Sequence, residues 1–142
     1  MKYNLRNICK IGNRITQEGV KRSDAFKRAW QAAKQGIIEK VVGVKYSNRQ
    51  SILAQLDQCR KSDIKICVER DRGNPWDENA ISVFASLIGN DQRVRVGYLN
   101  SKNAAIWANL MDQGVRVSTV LQEIVGGWDY DIAYGMRIRL MV

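Results

Sequence analysis

The sequence of 142 residues contains no histidine, one proline and three cysteines. Without histidine, Ser-His and Cys-His nucleophile pairs, histidine-ligated metals and imidazole acid–base catalysis are excluded. Cys9, Cys59 and Cys67 are odd in number and widely spaced, which argues against a disulfide framework and a CxxC zinc site. No run of about 18 apolar residues is present, and the N-terminus is polar and basic. We therefore expect a soluble, cytoplasmic protein, outside membranes, that uses no metal or other cofactor.

Acidic residues are scarce relative to basic ones, and the excess is unevenly distributed. The formal net charge is +9. Residues 1–40 hold ten Lys/Arg against three Asp/Glu, a net of +7, and residues 41–142 hold thirteen against eleven, a net of +2. Such an excess favours a polyanionic partner, which the first forty residues attract most strongly.

Two amphipathic helices are predicted before residue 37. Over residues 4–17, Leu5, Ile8, Ile11 and Ile15 recur at helical spacing. Ser23 is a candidate N-cap for a helix over about 24–35, whose apolar face holds Phe26, Ala29, Trp30 and Ala33. The cations expected to contact phosphate without sequence preference are Lys21, Arg22, Lys27 and Arg28. Two alternatives remain open for them, a solvated helix face and a helix-turn-helix that reads duplex DNA.

From Ile37 onwards the sequence consists mainly of short β-type segments. Strands are predicted near 38–46, 64–70, 79–87, 92–99, 115–125 and 135–142, a spacing typical of a small barrel or sandwich. Ser101 is a candidate N-cap for a helix over about 102–113, in which Trp107 is apolar core, and residues 50–56 favour a shorter helix. The fold class is therefore α+β, with about six strands, one or two short helices and a preceding helical hairpin.

The turn between the second and third predicted strands carries the most information. It holds Asn74-Pro75-Trp76-Asp77, and Pro75 fixes its own φ while it restricts Asn74 to extended geometry. Asn74, Asp77 and Asn79 are suited to hydrogen bonds with nearby backbone, so the turn should be stiff. A stiff turn that exposes Trp76 beside Asp77 suits a stacked base and a sugar hydroxyl. The alternative is a structural turn whose tryptophan packs into the core.

Three segments resemble the HIRAN domain family over roughly residues 38–142. They are Val42-Gly43-Val44-Lys45-Tyr46, then Arg70 through Asn74-Pro75-Trp76-Asp77-Glu78-Asn79-Ala80-Ile81, and then Val96-Gly97-Tyr98-Leu99 before an alanine-rich helix. The resemblance implies an OB-like modified β-barrel that binds single-stranded DNA and recognises the free 3′ end. It implies a binding module rather than an enzyme, and thus no catalytic residues.

The resemblance also implies roles for individual residues. Lys45 and Tyr46 are expected at the terminal phosphate and a stacked base, although Tyr46 alternatively plugs the barrel. Trp76 is the second stacking residue, held by the turn in which Asn74 lies, and Asp77 accepts a hydrogen bond from the 3′-hydroxyl. Tyr98 supplies a further backbone contact, and Lys102 is a nearby cation.

Two features depart from the family pattern. Trp76 stands where tyrosine or phenylalanine is more usual, which preserves stacking but changes the width of the pocket. The loop Gly126-Gly127-Trp128-Asp129-Tyr130-Asp131 places two acids beside its aromatics, which would disfavour phosphate wherever it borders a groove.

The sequence is thus interpreted as a basic helical extension over 1–36 and a HIRAN-like barrel over 37–142. The predicted partner is single-stranded DNA or a DNA end, in a setting such as DNA repair. One alternative is an adaptor that contacts a DNA-processing protein. A less favoured one is a nuclease that holds Mg²⁺ with Asp71, Asp77 and Glu78.

Overall fold

The computed structural model describes residues 3–127 and 132–142. The predictions concerning Trp128, Asp129, Tyr130 and Asp131 fall outside those residues. Among the helices that the structure describes, none combines the length and the apolar character needed to span a bilayer.

Four helices and six strands alternate in a pattern close to the predicted one. The helices are α1 (Leu5–Gln17), α2 (Arg22–Lys34), α3 (Arg49–Asp57) and α4 (Ser101–Asp112). The strands are β1 (Ile37–Val42), β2 (Ile64–Arg70), β3 (Ile81–Leu87), β4 (Val94–Leu99), β5 (Ser118–Val125) and β6 (Gly135–Met141). The elements confirm the predicted α+β class with an N-terminal helical hairpin.

The six strands form one antiparallel sheet in the order β2-β3-β4-β1-β6-β5. The sheet curls until its two edges meet, and the Thr119 hydroxyl of β5 donates to the Ile66 carbonyl of β2 at 2.8 Å. The result is a nearly closed, OB-like barrel. Apolar residues alternate with arginines in the sequence of β6, a pattern that predicts one buried and one exposed face, and Met136, Ile138 and Leu140 are buried while Arg137 is exposed.

The helical hairpin shares the hydrophobic core of the barrel. Ile8, Ile11 and Ile15 of α1 are buried in the same cluster as the barrel interior. The helices approach closely at Gly12, where a Cβ atom would lie 2.8 Å from the Phe26 ring. Gly12 therefore lowers helix propensity but admits an aromatic ring between α1 and α2.

Several predictions for the helices are wrong in detail. Leu5 is 61% exposed, and Trp30 of the predicted apolar face is 37% exposed and packs edge-on against Tyr3. Helix α2 instead buries only small residues, Ala25, Ala29 and Ala32. Trp107 of α4 is buried as predicted.

The predicted helix caps are also displaced. Neither Ser23 nor Ser101 is an N-cap, since both lie inside the first turn of their helices. Helix α2 begins after Lys21 without a side-chain cap. Helix α4 begins after Asn100, whose side chain accepts a hydrogen bond from the Lys102 amide at 2.9 Å.

A buried acid lies where the hairpin meets the barrel. Glu39 of β1 borders a cavity of about 320 Å³ between α1, α2, β1 and α4. Burial raises the pKa of its carboxyl group, and hydrogen bonds from Asn103 and Trp107 oppose part of that rise. Asn103 donates to the carboxylate at 2.8 Å, so the polar group is satisfied.

Gly97 of β4 is required by the approach of β1. A Cβ atom on Gly97 would lie 2.4 Å from the Val42 carbonyl oxygen and 2.6 Å from the Val41 side chain. We predict that Gly97→Ala lowers the free energy of unfolding by roughly 2–3 kcal/mol, because backbone must move to admit the methyl group. Urea unfolding followed by circular dichroism measures the change.

The matched control is Gly73→Ala. Gly73 has ordinary backbone geometry, and nothing lies within 4 Å of the added Cβ atom. Its free energy of unfolding should change by no more than about 0.5 kcal/mol. Equal stability of the two variants would contradict the proposed tight contact between β1 and β4.

Candidate nucleic-acid interface

The turn between β2 and β3 holds its shape through its own polar groups. We call residues 71–80 the 71–80 turn. The Asp71 amide donates to the Ala80 carbonyl at 2.9 Å and closes it. The Asn74 side-chain oxygen accepts from the amides of Trp76 and Asp77 at 2.9 and 3.0 Å. The stiffness expected from its composition is therefore present as hydrogen bonds.

The 71–80 turn is fixed to the rest of the molecule by Arg70. Its guanidinium, on a side chain only 11% exposed, donates to the carbonyls of Ala80 and Glu78 at 3.0 and 3.1 Å. It also contacts Asp112 at the end of α4 at 3.2 Å, and Arg72 contacts the same carboxylate at 2.8 Å. The hydrogen bond from Arg70 is the main cause of the lowered pKa of Asp112.

Both predicted stacking residues are on the surface. Trp76 is 90% exposed and Tyr46 is 71% exposed. The alternatives in which Trp76 packs into the core or Tyr46 plugs the barrel are therefore wrong. An indole presented by a stiff turn loses little conformational entropy when a flat ligand stacks on it.

Asp77 is half-buried and takes part in the turn. Its Oδ1 accepts from the Asn79 amide at 2.9 Å. Among the described residues, none donates a hydrogen bond to Oδ2 of Asp77. The carboxylate thus stabilises the turn with one oxygen and retains accepting capacity on the other.

Tyr98 joins the 71–80 turn to the sheet. Its hydroxyl donates to Asp71 Oδ2 at 3.3 Å, and the Asn74 amide group donates to the same oxygen at 3.2 Å. The guanidinium carbons of Arg49 and Arg95 lie 5.6 and 5.4 Å from the centroid of the Tyr98 ring. The Tyr98 ring is therefore a cation–π partner of two arginines.

The segment from Gly43 to Arg49 carries Lys45 and Tyr46 beside Tyr98. Gly43 has a φ of 74°, and Arg49 Nη1 donates to its carbonyl at 2.7 Å. Lys45 and Tyr46 lie between these two residues in the chain, and both are exposed. Among the described residues, neither Lys45 nor Arg49 forms an ion pair.

The structure brings together most of the predicted site. Asn74, Trp76 and Asp77 share the 71–80 turn, and hydrogen bonds through Asp71 connect that turn to Tyr98. Arg49 then links Tyr98 to the segment that carries Lys45 and Tyr46. Lys102 is exposed in the first turn of α4, and within the described part of the chain its side chain forms no hydrogen bond or ion pair with these groups.

Sequence reasoning missed Asp71 as an anchor and Arg49 as a cation of the site. The sequence suggested Asp71 only as a metal ligand. Within residues 3–127 and 132–142, Asp71, Asp77 and Glu78 do not form a group that is able to hold a metal ion. The adjacency of Arg49 to the Lys45-Tyr46 segment is the sequence signal that would have identified it.

The four predicted cations of α2 do not share one face. Arg28 lines the cavity beside Glu39, whereas Lys27 lines a shallow depression with Trp30. Arg22 lies over the Phe26 ring with its guanidinium carbon 5.3 Å from the centroid. All four are exposed, and Lys21 precedes α2 as its N-cap residue.

Comparisons with known proteins agree with this architecture. The family model of the HIRAN domain matches residues 37–127. A crystal structure of a protein from Lactobacillus plantarum is 27% identical, covers 74% of this chain and 92% of its own, and superimposes with a TM-score of 0.50. No curated protein matches the chain.

Asn74 organises the surface around Trp76, and its replacement tests that role. We predict that Asn74→Ala lowers the free energy of unfolding by about 1–2 kcal/mol and speeds hydrogen exchange at the amides of Trp76 and Asp77, since neither amide then has its acceptor. Exchange is measured residue by residue by NMR.

Asn90→Ala is the control for that experiment. Asn90 makes the same kind of contact in the β3–β4 connection, where its side chain accepts from the Gln92 amide at 2.9 Å. That variant should leave exchange at Trp76 and Asp77 unchanged. Unaltered exchange in Asn74→Ala would mean that the turn is held by other forces.

Proposed function

The chain belongs to the HIRAN domain family, a family of DNA-binding domains, and on that premise we propose that it binds single-stranded DNA at a free 3′ end. In this proposal the module binds without catalysing a reaction and needs no cofactor. Residues 37–142 recognise the strand, and residues 1–36 add attraction for phosphate.

The exposure of Trp76 is the observation that carries the proposal. An indole that is 90% exposed on a self-stabilised turn has no structural role in the core. Stacking of one base on an aromatic contributes about 1–3 kcal/mol and is independent of sequence. With Tyr46 also exposed, the surface offers two platforms, which suits the last bases of a single strand.

Asp77 supports the preference for an end. A carboxylate repels a phosphodiester, so its presence next to Trp76 in the same turn disfavours an internal nucleotide there. The Asn79 amide donates to Oδ1 of Asp77, and no described residue donates to Oδ2. Oδ2 can therefore accept a hydrogen bond from a terminal 3′-hydroxyl. The same atom thereby attracts one group and excludes the other.

The cations beside the platforms fit the phosphate that precedes the terminal sugar. Lys45 and Arg49 lie on the segment that carries Tyr46, and neither is neutralised by a carboxylate among the described residues. Asn74 and Tyr98 stabilise the 71–80 turn through their hydrogen bonds to Asp71. Lys102 adds positive charge at the start of α4.

Binding to short oligonucleotides measured by fluorescence anisotropy tests the proposal. One strand has a free 3′-hydroxyl, the second is the same strand with a 3′-phosphate, and the third is a closed circle. We expect roughly tenfold tighter binding to the free end, from one charge-assisted hydrogen bond. The double variant Tyr46→Ala and Trp76→Ala should abolish this binding, whereas Trp30→Ala, which removes an exposed tryptophan from α2, should not.

Asp77→Asn isolates the end preference within the same assay. The asparagine oxygen keeps the contact to Asn79, while the amide nitrogen replaces the second carboxylate oxygen and donates to a phosphate. We expect the preference for the free hydroxyl to fall from about tenfold to about twofold or less. An unchanged preference in a folded variant would show that another group reads the end.

The hairpin cations are assigned a different role. Replacement of Lys21, Arg22, Lys27 and Arg28 by glutamine should weaken binding to all three oligonucleotides by the same factor. It should also make the log–log salt slope shallower, by about 0.7 for each phosphate that the variant no longer neutralises. If the preference for the free end disappeared instead, the helical hairpin rather than the barrel would recognise the 3′ end.

A further inference from the structure

Guanidinium groups and aromatic rings alternate along the outer face of β3 and β4. The guanidinium carbon of Arg93 lies 4.1 Å from the centroid of the Phe84 ring, and that of Arg95 lies 5.4 Å from it. The guanidinium carbon of Arg95 is also 5.4 Å from the centroid of the Tyr98 ring. We call Phe84, Arg93 and Arg95 the β3–β4 strip. It begins at Tyr98, at the edge of the proposed 3′-end site, and leads away from it.

A β-bulge creates the strip. Pairing between β3 and β4 passes from Val83↔Gly97 to Phe84↔Arg95, so Val96 has no partner. Regular alternation would place Arg95 and Tyr98 on opposite faces, because they are three residues apart. The extra residue returns both side chains to the outer face, while Val96 is buried. Bulges commonly redirect a side chain in this way.

The two arginines of the strip differ in their charge balance. Arg93 pairs with Glu69, and its hydrogen bond is the main cause of the lowered pKa of that carboxyl group. Arg95 forms no ion pair with any residue that the structure describes. An unpaired guanidinium held between two rings keeps its N–H edges free for an anion, and its side chain already has little conformational freedom to lose on binding.

Beyond Arg93 the surface becomes concave and stays partly basic. A depression of about 420 Å³ is lined by Lys65, Phe84, Ser86, Asn90, Asp91 and Arg93, among others. Lys65 and Arg93 supply cations, Ser86 and Asn90 supply hydrogen-bonding groups, and Asp91 is the one acid in that set. These polar groups lie beside the apolar side chains of Leu87 and Ile88, and together they continue the surface away from Tyr98.

We propose that the β3–β4 strip binds the phosphodiester backbone of the strand on the 5′ side of the terminal nucleotides. Arg95 contacts an internal phosphate, and Lys65 in the adjacent depression contacts the next one, while Arg93 stays paired with Glu69. This inference rests on the proposed function, and it adds the path that the strand takes once its end is bound. Planar guanidinium groups match phosphate oxygens in two-pronged contacts, and their electron-poor faces also accept bases.

The test compares strands of about three and about ten nucleotides, both with a free 3′-hydroxyl, by fluorescence anisotropy. Wild-type protein should bind the longer strand more tightly. Arg95→Gln should weaken binding to the longer strand by about tenfold and to the shorter by no more than about twofold. Its salt slope on the longer strand should be shallower by about 0.7, the value for one phosphate contact.

Two further variants make the result specific. Arg137→Gln removes the same charge from an exposed position on β6, where it pairs with Glu123, and should alter binding to neither strand by more than about twofold. Arg95→Lys keeps the charge and should recover part of the affinity for the longer strand, along with the salt slope.

The outcomes separate the strip from the end site. Equal affinity of wild-type protein for both strands, or an equal weakening of both by Arg95→Gln, would overturn the strip and leave 3′-end binding intact. The absence of binding to either strand at low salt would overturn the proposed function and the strip with it. A length-dependent weakening confined to Arg95→Gln would support both.

Discussion

One carboxylate oxygen, Oδ2 of Asp71, connects the parts of the candidate site. It accepts hydrogen bonds from the Asn74 side chain and from the Tyr98 hydroxyl. The first contact fixes the residue that shapes the turn around Trp76, and the second fixes the ring on which Arg49 and Arg95 pack. Because one oxygen receives both donors, the turn and the strand cannot move independently without breaking a charge-assisted hydrogen bond. The spacing between the exposed indole and the cations follows from that constraint.

Most of the fold was predictable from local signals in the sequence. The alternation of apolar residues in β6 predicted which side chains are buried, and proline with asparagine and aspartate predicted a stiff 71–80 turn. These properties depend on neighbouring residues, which periodicity and turn chemistry record directly. The motif around Asn74 and Trp76 similarly predicted a surface tryptophan.

The predictions that were wrong or missing depended on contacts between distant segments. Trp30 lies on the apolar face of α2, but that helix buries only Ala25, Ala29 and Ala32. Which residues of a helix are covered depends on the elements packed against it, and the sequence of α2 alone does not record them. The role of Arg95 was not predicted because a β-bulge sets the face on which its side chain lies, and the alternation of residues does not reveal a bulge.

Net charge is a poor guide to where the barrel attracts an anion. Residues 41–142 carry a net charge of only +2, and several of their arginines are committed to carboxylates. The committed pairs are Arg60 with Asp63, Arg70 and Arg72 with Asp112, Arg93 with Glu69, and Arg137 with Glu123. Pairing leaves the net charge unchanged. The positive charge that no carboxylate compensates is therefore on the cations without such a partner. Among the described residues, Lys45, Arg49 and Arg95 belong to that remainder, and Arg49 and Arg95 flank one ring, Tyr98. Local pairing therefore produces a basic strip on a domain whose overall charge is almost balanced.

The carboxylates of the site limit that attraction in a useful way. Asp71 and Asp77 both accept hydrogen bonds from the protein, so part of their negative charge is compensated by nearby donors. Asp71 is compensated by two side chains, whereas within the described residues the side chain of Asp77 accepts from one backbone amide. The negative potential of Asp77 should therefore act more strongly than that of Asp71 on a ligand beside Trp76. In the proposed function, a phosphate would be repelled at that point and a hydroxyl would be bound, while phosphates further along would meet guanidinium groups. The order of charges along the surface would then orient a bound strand, with its end at the carboxylate and its backbone on the arginines.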